Sequence, residues 1–273
     1  MVVSVPDHEG ETYRNPRELA KPKCQPVFAI ALEDIYERGM LPKGFFELSY
    51  VNDELTDTLG PHLMVERYCK RTVDVVFGVP YVYGLATVAR LSQYWGSGVP
   101  VFTTTAMVDE LGVKKSFPLL TRLVSSYATP ASFVLQLMDM WGVRNNLNFL
   151  MHDHHSTQPD WGHSECWFAL RKILGVLMAS APTLNYKADY FDEYGTSRAN
   201  FTERLQARSL FGNVIILCAS PDTVREIMLA AHELKMSSNG DYIFINIDVS
   251  TGSRTERPWE RTDGNKEEDD IAK

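Results

Sequence analysis

The chain has 273 residues, 35 acidic against 27 basic side chains for a formal net charge of -8, and 44% hydrophobic residues. That is enough apolar material for one or two globular domains, and an acidic chain without clustered Lys and Arg is a poor candidate for phosphate-backbone binding, so no nucleic-acid partner is expected. No apolar run approaches the roughly 20 residues a spanning helix needs, and the N-terminus lacks the basic-then-apolar pattern of a signal peptide.

In chain order, "VVSV" opens as a short buried strand. In "PVFAIALEDIYERG" the residues Val27, Ile30, Ala31 and Ile35 recur near the helical period, which predicts a helix over 26–38 with these four on its core face and Glu33, Asp34, Glu37 and Arg38 in water. Then come "FFELSYV" (strand), "GPHLMVERYCKR" (helix), "VDVVFG" (strand), a Gly-Pro turn, "YGLATVARLSQYW" (helix) and "VPVFTTT" (strand). Beyond a polar stretch at 107–118 the pattern resumes with "TPASFVLQLMDMWG" (helix), "NLNFLMH" (strand), "SECWFALRKILGVLMAS" (helix), "NVIILCA" (strand), "SPDTVREIMLAAHELKM" (helix) and "DYIFINID" (strand).

Strand–helix alternation with short Gly/Pro turns predicts an α/β protein with two Rossmann-like lobes on parallel sheets: lobe 1 at 1–106, lobe 2 at 107–248, and a charged crossover or tail at 249–273. "SPDTVRE" is a helix start, with Ser220 as N-cap, Pro221 in the first helical position and Asp222 at the positive end of the dipole. The charge-rich "RTERPWERTDGNKEEDDIAK" reads as a polar segment that closes no element.

In parallel sheets ligands sit where strands end and helix N-termini begin, which directs attention to Gly78 through Tyr83. The four cysteines, Cys24, Cys69, Cys166 and Cys218, form no CxxC pair, so their spacing argues against a zinc ribbon and allows disulfides without requiring them. Asn200-Phe201-Thr202 is a glycosylation sequon. The loop "HDHHSTQPDWGHSEC" supplies His152, Asp153, His154, His155 and His163, the basis for a reading of another class, a metal-dependent hydrolase using residues 152–163. Its spacing is neither HExxH nor a ligand pair on one helical face, and the plainer account is a polar loop, so no metal is expected. No GxGxxG, P-loop, nucleophile elbow, kinase or cyclase signature occurs, so no catalytic residue is assigned and this segment is expected not to be an enzyme.

"VIILCASPDTVREIMLAA", "GDYIFINIDVS" and "RPWERTDGNKEEDDIAK", with "SGVPVFTTTAMVDELGVKKSFPLLTRLVSSY" in the same order, resemble the extracellular ligand-binding region of natriuretic-peptide-receptor-like receptor guanylate cyclases. The resemblance covers nearly the whole chain. It implies a type I periplasmic-binding-protein-like fold that is C-terminally truncated here, with lobe 1 missing its return segment and apolar surface left uncovered. It also implies the extracellular face of the plasma membrane, a single membrane helix absent from this chain, a homodimer, and cGMP made by domains absent here. A clearance-type or soluble peptide-binding receptor without cyclase is the nearest alternative.

The same resemblance implies a Cys166–Cys218 disulfide. The family's first-lobe disulfide positions correspond to Leu55 and Tyr81, and Cys24 and Cys69 have no assigned partner; Cys69 lies in the region the family uses for dimer contact. Peptide-ligand contacts carry over to Asp57, Tyr83, Trp167 and Phe168, a carboxylate for a peptide arginine and three aromatic anchors. By themselves Trp167 and Phe168 read equally as helix core, and Asp57 as a helix cap. The family's chloride site corresponds to Pro80 and Tyr81 with Ser49 as the hydroxyl, but Pro80 has no N–H to donate. No other cofactor is expected.

Overall fold

The computed structural model describes residues 1–10, 14–143, 145–158, 161–238, 240–249, 259–260 and 265–272. They divide into two compact units, the first comprising 1–10, 18–126 and 161–162, the second 14–17, 127–158 and the described residues from 163 onward.

In the first unit, β1 (Val2–Ser4), β2 (Ser49–Val51), β3 (Val76–Gly78), β4 (Val101–Thr103) and β5 (Leu120–Arg122) form an all-parallel sheet of order β2-β1-β3-β4-β5. The chain leaves β1 for β2 on one side, then returns past it to β3, so the strand order reverses between β1 and β3. Parallel strands need crossovers, and α1 (Lys21–Glu37), α2 (Leu59–Cys69) and α3 (Val82–Leu91) supply the first three of the four, while a 3-10 turn at Asp109–Gly112 lies between β4 and β5. On one sheet face Val76, Val101, Thr103 and Leu120 are buried. On the other, α1 contributes Phe28, whose ring meets Phe77 edge-on at 5.2 Å, and Phe77 stacks on Phe102 at 5.1 Å.

Two expectations change here. Val27 and Ile30 are 65% and 66% exposed, Ala31 is exposed and Ile35 only half-buried, so the expected core face of α1 largely points away from the sheet. The helix carries two apolar rows, and the Phe28–Phe77 contact sets its rotation so that Cys24, Phe28 and Leu32 turn inward. The division between units falls at 126/127 rather than 106/107, because the chain after the polar stretch still contributes β5 to the first sheet.

The second unit holds a parallel sheet of order β7-β6-β8-β9, with β6 (Leu147–His152), β7 (Tyr186–Phe191), β8 (Val214–Cys218) and β9 (Ile243–Asn246). Period-two alternation sorts its central strands onto two cores. Leu147, Phe149, Met151, Val214, Ile216 and Cys218 face α4 (Ala128–Trp141) and α5 (Glu165–Ser180). Leu150, Ile215 and Leu217 face α6 (Arg198–Ser209) and α7 (Pro221–Glu233). Both faces of β6 and β8 are covered, which is why these strands read as continuous apolar runs. Ser220 caps α7, its side chain accepting from the Thr223 N–H, with Pro221 in the first turn.

The tail also departs from expectation. Much of 249–273 lies outside the described residues, but Lys266–Ala272 forms α8, packed on α7. Arg225, only 4% exposed, donates to Glu268 at 3.2 Å, to Asp269 at 3.0 Å and to the Trp259 carbonyl at 3.1 Å. Arg198 reaches Glu226 at 2.7 Å and Glu268 at 3.2 Å. The acidic run is therefore a docked helix held by two arginines.

Candidate functional site

In the first unit the candidate site is built where β1, β2 and β3 end. Gly78 has φ +100, and a Cβ there would come within 2.1 Å of the Ser4 carbonyl oxygen, so only glycine fits. The next residue, Val79, has φ 54 and donates its N–H to the Ser4 carbonyl at 3.2 Å. Pro80 follows with no N–H, and Tyr81 precedes α3 in extended conformation.

Asp57 sits in the loop between β2 and α2, and its Oδ1 accepts the Gly84 N–H in the first turn of α3 at 2.9 Å. It is a helix cap, but of α3 rather than of its own helix. Tyr83, the residue before Gly84, is 43% exposed. Gly162 packs on both: it has φ +74, and a Cβ there would lie 2.5 Å from Asp57 Oδ2 and 2.6 Å from Tyr83 Cδ2. Asp57, Tyr83 and Gly162 thus form one surface. Sequence reasoning named the first two and missed the glycine, which lies nearly 80 residues away along the chain.

The proposed chloride pair is corrected. Ser49 opens β2, pairs with Val2 and places its hydroxyl 3.5 Å from the Met1 carbonyl, whereas Tyr81 follows the far end of β3, beyond Gly78, which pairs with Ser4. Parallel pairing puts the two at opposite ends of the sheet. Pro80 has no N–H to donate, and the Val79 N–H is committed to the Ser4 carbonyl.

The hydroxyl at this end of the sheet belongs to Ser4, fully buried, whose Oγ donates to Asp53 Oδ2 at 3.1 Å. Asp53 is 1% exposed, accepts the Leu55 N–H at 3.2 Å, and is pushed up to about 6 by burial against the lowering effect of those two donors. No sequence argument singled it out.

In the second unit Cys166 and Cys218 form a disulfide, with a Cα–Cα separation of 5.3 Å. Both are buried, one in the first turn of α5 and the other at the end of β8. Cys24 and Cys69 are free thiols, the first half-buried and the second exposed.

Ser164 caps α5, accepting the Trp167 N–H at 3.1 Å and donating to the His152 carbonyl at 2.6 Å. Trp167 stacks on the His163 ring at 3.8 Å, with the Arg171 guanidinium 5.8 Å from its centroid and Phe168 edge-on at 5.1 Å. Both aromatic candidates are half-buried, and Trp167 also packs against the α4/α5 core.

The His-rich loop does structural work. His163 Nδ1 lies 2.8 Å from Asp153 Oδ2, and Asp153 Oδ1 accepts the Ser164 N–H at 3.1 Å. His152 Nδ1 accepts the Glu193 N–H at 3.3 Å, while Glu193 Oε1 accepts the Ser220 N–H at 2.9 Å at the start of α7. Among the described residues no group of three or more His, Cys, Asp or Glu side chains is placed to hold a metal ion.

Beside this loop the Tyr127 hydroxyl donates to Glu165, the first residue of α5. Burial raises the Glu165 carboxyl, opposed by the charge of Arg17, and burial pushes Tyr127 well above the usual phenol range. Asn200 is exposed in the first turn of α6, its Oδ1 accepting from the Ser197 N–H at 3.0 Å and hydroxyl at 2.7 Å. That leaves its nitrogen, the atom a glycan takes, outside the capping contacts.

Residues 23–266 match the family model described as receptor family ligand binding region. The chain is 37% identical to "Receptor-type guanylate cyclase gcy-28" of Caenorhabditis elegans, across 100% of this chain and 24% of that protein. It is 27% identical to "Atrial natriuretic peptide receptor 3" of Homo sapiens, across 88% of this chain and 44% of that protein. It is 26% identical to "Atrial natriuretic peptide receptor 2" of Homo sapiens, across 88% of this chain and 22% of that protein. The chain therefore spans less than half the length of these curated relatives. Among the described residues no helix is long and apolar enough to cross a membrane.

Proposed function

Since this chain belongs to the receptor ligand-binding-region family shared by receptor guanylate cyclases and natriuretic peptide receptors, we propose that it binds an extracellular peptide and thereby controls cGMP synthesis by a cyclase domain elsewhere in the full-length protein. The observation that carries this reading is the 37% identity over the whole chain to a receptor-type guanylate cyclase. That match also favours a cyclase-bearing parent over a clearance-type receptor.

Ligand contact is assigned to Asp57 and Tyr83 in the first unit and to Trp167 and Phe168 in the second. A carboxylate beside a partly exposed phenol suits an arginine-containing peptide, because the charge fixes orientation and the ring supplies contact area. The parent acts as a homodimer on the extracellular face of the plasma membrane, and ligand shifts the balance between two dimer arrangements by binding one of them better. A buried disulfide fits an oxidising compartment, and in that setting Asn200 is a glycan acceptor. For the dimer contact, exposed Val65 and Cys69 on one side of α2 support the α2 region.

The test is a guanylate cyclase assay on membranes of cells expressing the full-length protein, with extracellular peptides added, beginning with atrial natriuretic peptide. Peptide-dependent cGMP that is lost in Asp57→Asn is expected. Saturable peptide binding without any cyclase activity in the full-length protein would move the assignment to a clearance-type receptor.

A further inference from the structure

Two loops at the end of the first sheet are bent in a way the backbone resists. Glu54 and Leu55 are consecutive left-handed residues, with φ 51 and 58, and Val79 has φ 54. None is glycine, and a β-branched residue in this region is an outlier; such conformations persist only where surrounding contacts over-determine them. Here the contacts converge on one pair. Ser4 accepts the Val79 N–H through its carbonyl at 3.2 Å and donates its hydroxyl to Asp53 at 3.1 Å. Asp53 in turn accepts the Leu55 N–H at 3.2 Å through its side chain and the Thr56 N–H at 3.0 Å through its carbonyl.

The loop so held delivers Asp57 to the Gly84 N–H, and from Gly84 the chain runs back through Tyr83 in the first turn of α3 and through Tyr81 to Val79. The contacts close a ring: Ser4, Asp53, Leu55, Asp57, Gly84, Val79 and Ser4 again. We propose that the Ser4–Asp53 pair is the positioning device for the Asp57–Tyr83 surface, and that loss of one proton from the buried Asp53 carboxyl loosens both left-handed loops together. Calling that surface a ligand site rests on the functional reading above; the positioning itself does not.

The chemistry follows from what faces Asp53. Ser4 from β1, Gly60 from α2 and Leu55 of its own loop surround it, and none carries charge. Glu54 and Asp57 are the other charged residues of the loop, both of the same sign as an ionised Asp53; the segment after β1, whose Asp7 N–H bonds Asn52 at 3.2 Å, adds Asp7, His8 and Glu9, so the control variant His8→Gln must leave the pH difference in place. Among the described residues no cation bonds to the Asp53 carboxylate, so the ionised form favours any opening that lets water reach it, and the protonated form favours the closed ring. With the buried group pushed up to about 6 and a solvated carboxyl at its ordinary value, the closed-to-open ratio falls roughly tenfold between pH 5 and pH 7.5.

Hydrogen exchange of the chain at pH 5 and pH 7.5, corrected for intrinsic rates, tests this at the Leu55 and Gly84 amides. Protection at both amides should be about tenfold greater at pH 5, and Asp53→Asn, which is neutral at both values, should abolish the difference. Ser4→Ala retains the acid but removes a donor to its charged form, so it should move the transition to higher pH; it serves alone if Asp53→Asn does not fold. Equal protection at both pH values, or a pH dependence surviving in Asp53→Asn, overturns the proposal whatever the peptide results. Failure of atrial natriuretic peptide to bind while the exchange pattern holds would count against the functional reading only.

Discussion

Asp57 accepts the backbone N–H of Gly84 at 2.9 Å, so the carboxylate assigned to the ligand is also the cap of the helix that carries Tyr83. One side chain thus fixes both its own position and that of its aromatic neighbour. Of the two readings open at the level of sequence, the structure shows the helix cap, and the peptide contact is the proposal that the next variants test.

Substitutions at Asp57 separate the two roles. Asp57→Ala removes the cap and should cost about 1 kcal/mol in denaturant unfolding. Asp57→Asn keeps an acceptor for Gly84 but loses the charge, so stability should stay close to the parent while binding of an arginine-containing peptide weakens at least tenfold by calorimetry. Equal binding by Asp57→Asn and the parent would remove Asp57 from the ligand surface.

The Cys166–Cys218 bond should be recovered by mass spectrometry of non-reduced digests as a single linked peptide pair. Replacing both cysteines with serine should cost about 2–4 kcal/mol, read as a lower denaturant midpoint. Both sulfurs appearing as free thiols in secreted material would refute the bridge.

Asp53 predicts an unusual sign for pH dependence. Burial raises its folded value to about 6 from the ordinary 3.8, so its stabilising contribution is fully present below about pH 4 and is lost as pH rises through 6. Unfolding at pH 5 and pH 7.5 should show the parent gaining roughly 1.4 kcal/mol in the acid relative to Asp53→Asn. Parallel stability curves for the two proteins would show that the group is not perturbed.

Arg225 is nearly inaccessible and holds Glu268, Asp269 and the Trp259 carbonyl. Arg225→Ala removes this donor from all three acceptors and leaves Glu268 to Arg198, which should cost about 3 kcal/mol, with α8 becoming the first site of limited proteolysis. Arg225→Lys cannot reproduce three divergent contacts and should restore only part of the loss. An unchanged cleavage pattern in Arg225→Ala would mean that α8 is held by other contacts.

Sequence by itself determined the α/β class, β6 and β8, the capped start of α7 and the family, because these rest on local rules: apolar runs buried on both faces, a Ser-Pro-Asp start, and ordered matches along the chain. It did not show β7 or α6. β7 is an edge strand interrupted by Lys187 and Asp189, and α6 buries only Phe201 and Leu205 among its twelve residues, so neither carries a strong apolar period. Only the tertiary structure decided which apolar row of α1 turns inward, since two rows satisfy the same period and an aromatic contact 49 residues away selects one. It likewise moved Ser49 away from Tyr81 through strand register and brought Gly162 onto Asp57 and Tyr83. The contact of Ser4 with Asp53 was invisible for the same reason: a serine ending one strand and an aspartate just after another are ordinary residues until parallel pairing sets them side by side, out of water.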